Sequence, residues 1–290
     1  MPKLEQINMT ISWARSKPDE LRAHHARDAA EMAGALPEDV IETGLAPEGA
    51  FRGGLLFTPR DCVTDAVFIY FHGGGFVAGS PETHRCVTAW LARLSRMRVF
   101  SARYRLAPEH PFPAQRDDAV AACKAMAGET NIFLAGDSAG ACIALWGLQG
   151  LDAPMRARIA GLVLLYGGYG LIESASIARY GTPENGLDSE TLAVMYRRLG
   201  GDAVWPTAFA GEITEPAYVL AAERDAVFDD STRLFDSLGA SPGHLFTVAK
   251  GEDHGFFKRT GRDPIALREL DKSTGWAAER LSHWRTTAQA

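Results

Sequence analysis

The sequence has little that would direct it to a membrane, to nucleic acid or to a disulfide-stabilised fold. No apolar run approaches the roughly 20 residues that a bilayer-crossing helix needs, and the N-terminal residues 1–8 lack the apolar region of a signal peptide. Lys and Arg do not cluster, and the net charge is −6, which disfavours nucleic acid as the main partner. The four cysteines are scattered without a C-x-x-C pair, as is typical of reduced core thiols. We therefore expect a cytoplasmic protein with no membrane or nucleic-acid partner.

The hydrophobic content of 46% in 290 residues is sufficient for a large core. Strand-like apolar runs alternate with stretches whose apolar residues recur at helical spacing. The predicted strands are residues 53–58, 66–71, 98–104, 132–135, 159–166, 217–222 and 245–248. The predicted helices are residues 82–97, 114–126, 141–148, 229–238 and 263–284. This alternation predicts an α/β fold with a mostly parallel central sheet and helices on both faces.

Two segments depart from the alternation. Within residues 1–45, positions 10–35 have apolar residues at helical spacing before any strand, and residues 168–212 are glycine-rich, with a helical stretch at 188–199. The second segment is too long for a plain connection. We predict that these two segments form a small helical cap. Residues 46–167 and 213–290 would then be the two parts of the core.

A candidate nucleophile lies in residues 131–140. The apolar run 132–135 predicts a buried strand, and it leads into Gly136-Asp-Ser-Ala-Gly140, a G-x-S-x-G motif that precedes a predicted helix. Glycines on either side of Ser138 remove side chains that would clash where a strand reverses into a helix. The segment therefore predicts a nucleophile elbow that holds the hydroxyl of Ser138 at the edge of the sheet.

A serine hydroxyl needs a base, usually histidine, which a carboxylate orients. In hydrolases with such an elbow the acid and then the histidine follow the serine along the chain. His254 lies in a glycine-flanked loop after a predicted strand, whereas His244 begins a strand and His283 lies on the terminal helix. We predict that His254 is the base.

The acid should lie at the end of the preceding strand. Asp225 follows predicted strand 217–222 by three residues. Asp229 and Asp230 are the rivals, and both suit the N-terminus of the next helix, where carboxylates are favourable. Asp253 would have to fold back onto its neighbour. We predict Asp225 as the acid, with Asp229 as the alternative.

A glycine-rich motif, His72-Gly-Gly-Gly-Phe76, directly follows predicted strand 66–71. Three consecutive glycines leave backbone amides unshielded, so a negatively charged oxygen can approach them closely. A flexible loop is the alternative interpretation. The position after a buried strand and upstream of an elbow, however, is where lipases and esterases place half of an oxyanion hole.

These motifs, together with the proline-rich block 104–114, resemble the hormone-sensitive lipase family of α/β-hydrolases, in its bacterial carboxylesterase branch. The resemblance covers roughly residues 66–260. It implies an α/β-hydrolase fold. It also implies a catalytic triad of Ser138, Asp225 and His254, and an oxyanion hole formed by the amides of Gly74, Gly75 and Ala139.

The resemblance also implies supporting roles for three residues near the motifs. His72 would support the glycine loop by hydrogen bonding, and Glu109 and Asp137 would be structural carboxylates. The chain departs from the family at Ala226-Val227, where Pro-Leu is usual, and at residues 167–170, where a proline is common. These departures leave the triad intact but affect the shapes of the acyl and alcohol pockets.

The expected function is that of a serine carboxylesterase acting on short-chain or small aromatic carboxylic esters through an acyl-enzyme, without a metal or cofactor. The small-molecule ester is the expected partner. The resemblance also implies a possible homodimer, since family members often pair through an edge strand or the terminal helix. The aromatic residues Trp13, Phe76, Tyr169 and Phe256 are predicted to contact the substrate.

Two alternative functions use the same motifs. An arylformamidase would cleave an N-formyl aromatic amine with the same triad, as the kynurenine formamidases do with their similar glycine loop. A ligand-binding protein on this scaffold would resemble the plant gibberellin receptors, which have lost the catalytic histidine. The presence of His254 disfavours the second alternative.

Overall fold

A computed structural model describes residues 11–62 and 65–287. The strands are β1 (Val40–Leu45), β2 (Gly54–Pro59), β3 (Ala66–Phe71), β4 (Arg98–Ala102), β5 (Asn131–Asp137), β6 (Ile159–Leu165), β7 (Ala217–Arg224) and β8 (Leu245–Asp253). The helices are α1 (Pro18–Met32), α2 (Arg85–Ser95), α3 (Ala114–Ala125), α4 (Ala139–Gly150), α5 (Ala153–Arg156), α6 (Ala175–Tyr180), α7 (Ser189–Leu199), α8 (Phe228–Ser237) and α9 (Pro264–Thr287). Short 3₁₀ turns cover Pro206–Ala208, Ala210–Glu212 and Phe256–Arg259.

The described strands form one sheet in the order β1-β2-β4-β3-β5-β6-β7-β8. The six strands from β4 to β8 are parallel, and β1 and β2 add an antiparallel edge. Every residue of β3, β5 and β6 is buried, because helices cover both faces of a parallel sheet. The predicted mostly parallel sheet is therefore confirmed.

The chain reverses its direction of travel across the sheet between β3 and β5. After β3 it crosses to β4 on one side, and after β5 it crosses to β6 on the other. The loops at the carboxyl ends of β3 and β5 therefore diverge and leave a crevice between them. Such a switch point is where open α/β sheets bind ligands.

Two apolar layers, one on each face, hold the sheet between the helices. Val67, Ile69 and Phe71 of β3 pack into the layer that contains α3 and α4. Phe68 and Tyr70 point the opposite way, into the layer that contains α2 and α9. This alternation of side chains follows from the two-residue period of a strand, so one apolar run supplies both layers.

Two edge strands differ from the sequence prediction. β1 lies within residues 1–45, which were predicted as helical. It pairs with β2 in a register that runs from Val40 opposite Pro59 to Leu45 opposite Gly54. Its residues are mostly exposed, so the strand lacks the apolar alternation that a half-buried strand shows. β8 also continues beyond the predicted end at residue 248 to Asp253. The sequence does not predict residues 249–253 as strand because they are mostly polar, as suits an edge strand that faces water.

The segment 168–212 contributes α6 and α7 between β6 and β7, and α1 lies in the first 45 residues. Their grouping as one cap stays a prediction. Among the helices in the described part of the chain, none is both long enough and apolar enough to cross a membrane.

Candidate active site

The predicted nucleophile elbow lies where β5 ends and α4 begins. Ser138 stands between them with φ of 52° and ψ of −124°, a left-handed conformation that is strained for a residue with a side chain. Its amide donates to the carbonyl of Leu165 on the neighbouring strand at 2.9 Å. The surrounding structure therefore holds Ser138 in an unfavourable geometry, which is typical of functional positions.

The two glycines of the motif are required by space. A Cβ atom built on Gly140 would lie 1.9 Å from the carbonyl oxygen of Phe71, at the end of β3. A Cβ on Gly136 would lie 2.4 Å from the carbonyl carbon of Gly140. Helix α4 therefore begins in direct contact with the end of β3, and only glycine allows that approach.

The structure brings Ser138, His254 and Asp225 together from three separate elements. His254 Nε2 lies 2.9 Å from Ser138 Oγ, and His254 Nδ1 lies 2.7 Å from Asp225 Oδ2. Asp225 is buried, and its other oxygen accepts the amide of Val227 at 2.9 Å. Because a carboxylate only accepts hydrogen bonds, it favours the tautomer with the proton on Nδ1. Nε2 is then the basic nitrogen that faces the hydroxyl.

The rival side chains lie elsewhere. Asp229 accepts the amide of Ser176, and Asp230 accepts that of Leu171, both from the first turn of α8. His244 is engaged on both nitrogens by the backbone of Ala217 and Gly239.

The glycine loop after β3 lines the same cavity as Ser138. Gly74 and Gly75 have φ of 118° and 59°, values that favour glycine. Their amides donate no hydrogen bond to another described residue. Ala139 is the first residue of α4, where the backbone N–H has no acceptor within the helix. All three residues line the cavity, so these N–H groups are available to an acceptor from outside.

A buried polar network ties the glycine loop to the elbow. Asp137 Oδ1 accepts the hydroxyl of Tyr70 at 2.8 Å and the amide of Gly73 at 2.9 Å, and His84 Nε2 lies 3.4 Å from the same oxygen. Burial alone would raise the pKa of Asp137, but the charge of His84 and the hydrogen bond from Tyr70 lower it. Asp137 therefore stays ionised and holds Gly73 beside Ser138.

The two other residues with predicted supporting roles are also hydrogen-bonded. His72 Nδ1 lies 2.8 Å from the carbonyl oxygen of Gly73 and 3.1 Å from the hydroxyl of Tyr104. Burial lowers the pKa of His72 to about 3, so the ring stays neutral. Glu109 forms an ion pair of 2.6 Å with Arg22 of α1, which ties the proline-rich block to the first helix.

The cavity above Ser138 has a volume of about 270 Å³. Of the four aromatic residues predicted to contact substrate, Trp13 and Phe76 line it. The structure does not bring Tyr169 and Phe256 to the cavity, because both side chains are buried in the core. Tyr169 packs under the backbone of Gly167, and Phe256 packs on Tyr166 and Phe257.

Several lining residues were not predicted from the sequence. Apolar ones come from the segment between β6 and β7 and from the loop after β7, and polar ones come from α1 and the turn after His254. They include Leu187, Leu192, Met195, Tyr196, Val227, His24, His25, Asp28 and Lys258. Among the residues that the structure describes, no group of three or more His, Cys, Asp or Glu side chains could hold a metal ion.

Two arginines fix the N-terminal wall of the cavity. Arg198 of α7 donates to the carbonyl oxygens of Trp13 and Ser16 at 2.9 and 2.8 Å. Arg22 of α1 donates to the carbonyl of Val77, beyond the glycine loop, at 3.0 Å. Side-chain-to-backbone bonds therefore attach the N-terminal segment both to α7 and to the core.

A family model described as alpha/beta hydrolase fold matches residues 68–258. The chain belongs to this family. The α/β-hydrolase fold and the resemblance to the hormone-sensitive lipase family are thus confirmed. An acetyl esterase of Salmonella schwarzengrund is 31% identical to this α/β-hydrolase over 203 residues. That match covers 64% of the chain and 62% of the relative, so the chain spans less than two thirds of the relative's length.

Solved structures agree with this assignment. An esterase of Pyrobaculum calidifontis has a TM-score of 0.79 and 26% identity, with 92% of this chain and 94% of that one covered. An esterase from the bacterial hormone-sensitive lipase family has a TM-score of 0.80 and 25% identity, with 92% of each chain covered.

The close approach at Gly140 gives a first prediction. Gly140→Ala should destabilise this α/β-hydrolase by at least about 3 kcal/mol, or prevent folding, because the added methyl group overlaps the backbone of Phe71. The control is Gly275→Ala, at an exposed position of α9 with nothing within 4 Å of the added atom. Gly275→Ala should raise the free energy of unfolding by about 0.5–1 kcal/mol, because alanine favours a helix more than glycine does. Urea unfolding of both variants measures this, and a fully stable Gly140→Ala protein would contradict it.

Asp230 gives a pH-dependent prediction. Burial raises its pKa to about 7, despite hydrogen bonds from the amides of Tyr169 and Leu171. The folded state therefore binds the proton more tightly than the unfolded chain, whose carboxyl has a pKa of about 3.9. Stability from this group is thus lost as the pH rises from about 4 to about 7.

Asp230→Asn removes this ionisation and keeps an oxygen for Leu171. The variant should gain unfolding free energy over the wild type at pH 8, and the gain should shrink at pH 5. Each pKa unit of the shift corresponds to about 1.4 kcal/mol. Chemical denaturation at the two pH values measures the difference. An equal gain at both, or a loss at pH 8, would contradict the ionisation argument.

Proposed function

We propose that the protein is a serine carboxylesterase that hydrolyses short-chain or small aromatic esters through an acyl-enzyme. The observation that carries this proposal is the 2.9 Å separation of Ser138 Oγ from His254 Nε2, with Asp225 on the other imidazole nitrogen. A hydroxyl, a base and an orienting carboxylate in this order are the components of nucleophilic acyl transfer. The names of the similar acetyl esterase and esterases add support.

In the acylation half, His254 Nε2 takes the proton of Ser138 as Oγ attacks the ester carbonyl carbon. The carbonyl π electrons move to the oxygen, and the amides of Gly74, Gly75 and Ala139 donate to that oxyanion. Donors of this kind each contribute about 10²–10³ in kcat. Collapse re-forms the carbonyl and breaks the ester C–O bond, and His254 gives its proton to the departing alkoxide.

In the deacylation half, a water molecule takes the place of the alcohol. His254 accepts a proton from the water as its oxygen attacks the acyl carbon. The second tetrahedral intermediate breaks its bond to Ser138 Oγ, and the proton returns to that oxygen. Asp225 keeps the imidazole oriented and stabilises its cationic form in both halves.

The cavity supports a small substrate. Its volume of about 270 Å³ lies below the usual range of roughly 300–1,000 Å³ for ligand pockets. Leu192, Met195 and Val227 provide an apolar wall that suits a short acyl chain or one aromatic ring. A triglyceride would be far larger than this space.

Ser138→Ala tests the proposal. Turnover of 4-nitrophenyl acetate should fall about 10⁴-fold or more, because the nucleophile is lost. A fluorophosphonate probe should label the wild type at Ser138. The control is Ser189→Ala, at an exposed position of α7 that does not line the cavity, and it should keep full activity. Full turnover by Ser138→Ala would refute the mechanism.

Two further comparisons separate the alternative functions. Faster turnover of N-formylkynurenine than of phenyl acetate would indicate a formamidase. A wild-type protein that neither reacts with the probe nor turns over any ester would indicate a binding protein.

Asp225→Asn tests the role of the acid. The amide would present its NH₂ group to Nδ1 and so favour the tautomer with the proton on Nε2, which cannot accept the serine proton. The expected loss in kcat is about 10⁴-fold at neutral pH. The matched control is Asp229→Asn, four residues on, whose side chain contacts Ser176 instead. Equal losses in the two variants would contradict the assignment of Asp225.

A further inference from the structure

Lys258 forms part of the cavity wall next to the proposed base. It lies on the 3₁₀ turn Phe256–Arg259, four residues after His254, and its amide donates to the carbonyl of Gly255 at 3.0 Å. Its Cε atom lies 3.8 Å from the position that a Cβ on Gly255 would occupy. The side chain therefore lies back along the loop that carries His254, and it lines the same cavity as Ser138.

The ammonium group of Lys258 lacks a direct counter-ion. Within the described part of the chain, its Nζ forms neither an ion pair nor a hydrogen bond. By contrast, Lys250 Nζ lies 2.9 Å from Glu223, and Lys272 Nζ lies 2.8 Å from Glu269. A lysine side chain commonly buries its stem and keeps its charge accessible, and the half-buried Lys258 accordingly leaves its ammonium group accessible in the cavity.

The carboxylates near Lys258 form no direct ion pair with it. Asp137 accepts the bonds from Tyr70 and Gly73 described above, and Asp28 of α1 lies 3.5 Å from the imidazole of His24, which carries a charge only when it is protonated. Burial lowers the pKa of Lys258, and the charges of Asp28 and Asp137 only partly oppose this. The charged form is thus incompletely compensated by the protein. A negative charge placed in the cavity would supply the missing compensation.

The neighbouring imidazole of His25 is neutral and does not change the charge balance around Lys258. It is buried between Trp13 and His84, and its Nδ1 has no hydrogen-bond partner among the described residues. Burial, together with the charge of Lys258, lowers the pKa of His25 well below its ordinary value. Glu184 also lines the cavity but is exposed, so water and salt screen its charge.

We propose that Lys258 determines specificity by binding a carboxylate carried by the substrate, so that the preferred esters are anionic. This inference rests on the proposed esterase function and names its substrate class. A single compact ammonium matches a single negative charge, and a cavity of about 270 Å³ has room for a carboxylate beside a small ester. Ser138 and His254 would act on the ester bond, and Lys258 would hold the other end of the molecule.

The test compares anionic and neutral esters of similar size in two pairs. Sodium 4-acetoxybenzoate and methyl 4-acetoxybenzoate differ in charge on the alcohol part. Monoethyl succinate and ethyl butyrate differ in charge on the acyl part. The measured quantity is the ratio of kcat/KM for the anionic ester to that for the neutral one, which cancels general damage to the triad.

Lys258→Met should lower this ratio about tenfold or more in at least one pair, because a hydrogen bond between charged groups is lost. The neutral ester should be turned over much as before, and Lys258→Arg should recover part of the ratio. Lys124→Met is the matched control, since it removes the same charge from an exposed position of α3 outside the cavity. If Lys258→Met does not fold, Lys258→Gln takes its place.

Unchanged ratios in both pairs, equal losses for anionic and neutral esters, or the same effect in Lys124→Met would overturn the inference and leave the esterase proposal standing. A wild type without activity on any ester would instead overturn the esterase proposal.

In that case calorimetry still tests the role of Lys258 in binding an anion. Ser138→Ala should bind 4-acetamidobenzoate more tightly than the neutral 4-acetamidobenzamide, and adding Lys258→Met should abolish that preference. Equal binding of the two compounds by Ser138→Ala would count against Lys258.

Discussion

The contact between the start of α4 and the end of β3 is the constraint on which the site depends. Gly140 lets the helix backbone touch the carbonyl of Phe71, so the turn that carries Ser138 lies directly beside the loop that leaves β3. Because β3 and β5 are neighbours at the switch point of the sheet, their two loops diverge above this contact. The cavity and the available amides of the glycine loop are both consequences of that arrangement.

Buried charge makes this arrangement rigid. Asp137 belongs to the strand that leads to Ser138, yet it holds the amide of Gly73 in the other loop. The hydroxyl of Tyr70 and the imidazole of His84 stabilise the ionised carboxylate from the far side. Donors that are fixed before the reaction begins need no reorganisation when charge develops. The network therefore supports the amides that the proposed mechanism uses.

The parts of the fold that could be predicted from the sequence are those whose local chemistry permits few alternatives. The glycines at 136 and 140 and the run at 73–75 indicate backbone contacts or dihedral angles that other residues do not tolerate. The apolar runs of β3, β5 and β6 have the composition of strands buried on both faces. These features predict the serine loop and the glycine loop from the sequence alone.

The remaining parts depend on long-range packing that no local pattern encodes. β1 is an exposed edge strand, and its partner residues in β2 lie 9 to 19 positions away. Tyr169 and Phe256 are close to the site in sequence, but their side chains point into the core. His25 and Lys258 are separated by more than two hundred residues and meet only because α1 lies over the loop of His254.

The attachment of the N-terminal segment has a consequence for how the protein can diversify. Ser138, His254 and the glycine loop are carried by the sheet, whereas α1 is attached through its own side chains, Arg22 and the buried Leu21. Arg198 instead donates to main-chain oxygens of Trp13 and Ser16, and these bonds do not depend on the side chains at those two positions. The cavity wall can therefore vary at residue 13 while its backbone stays attached to α7, so selectivity can change without any change in the sheet that carries Ser138.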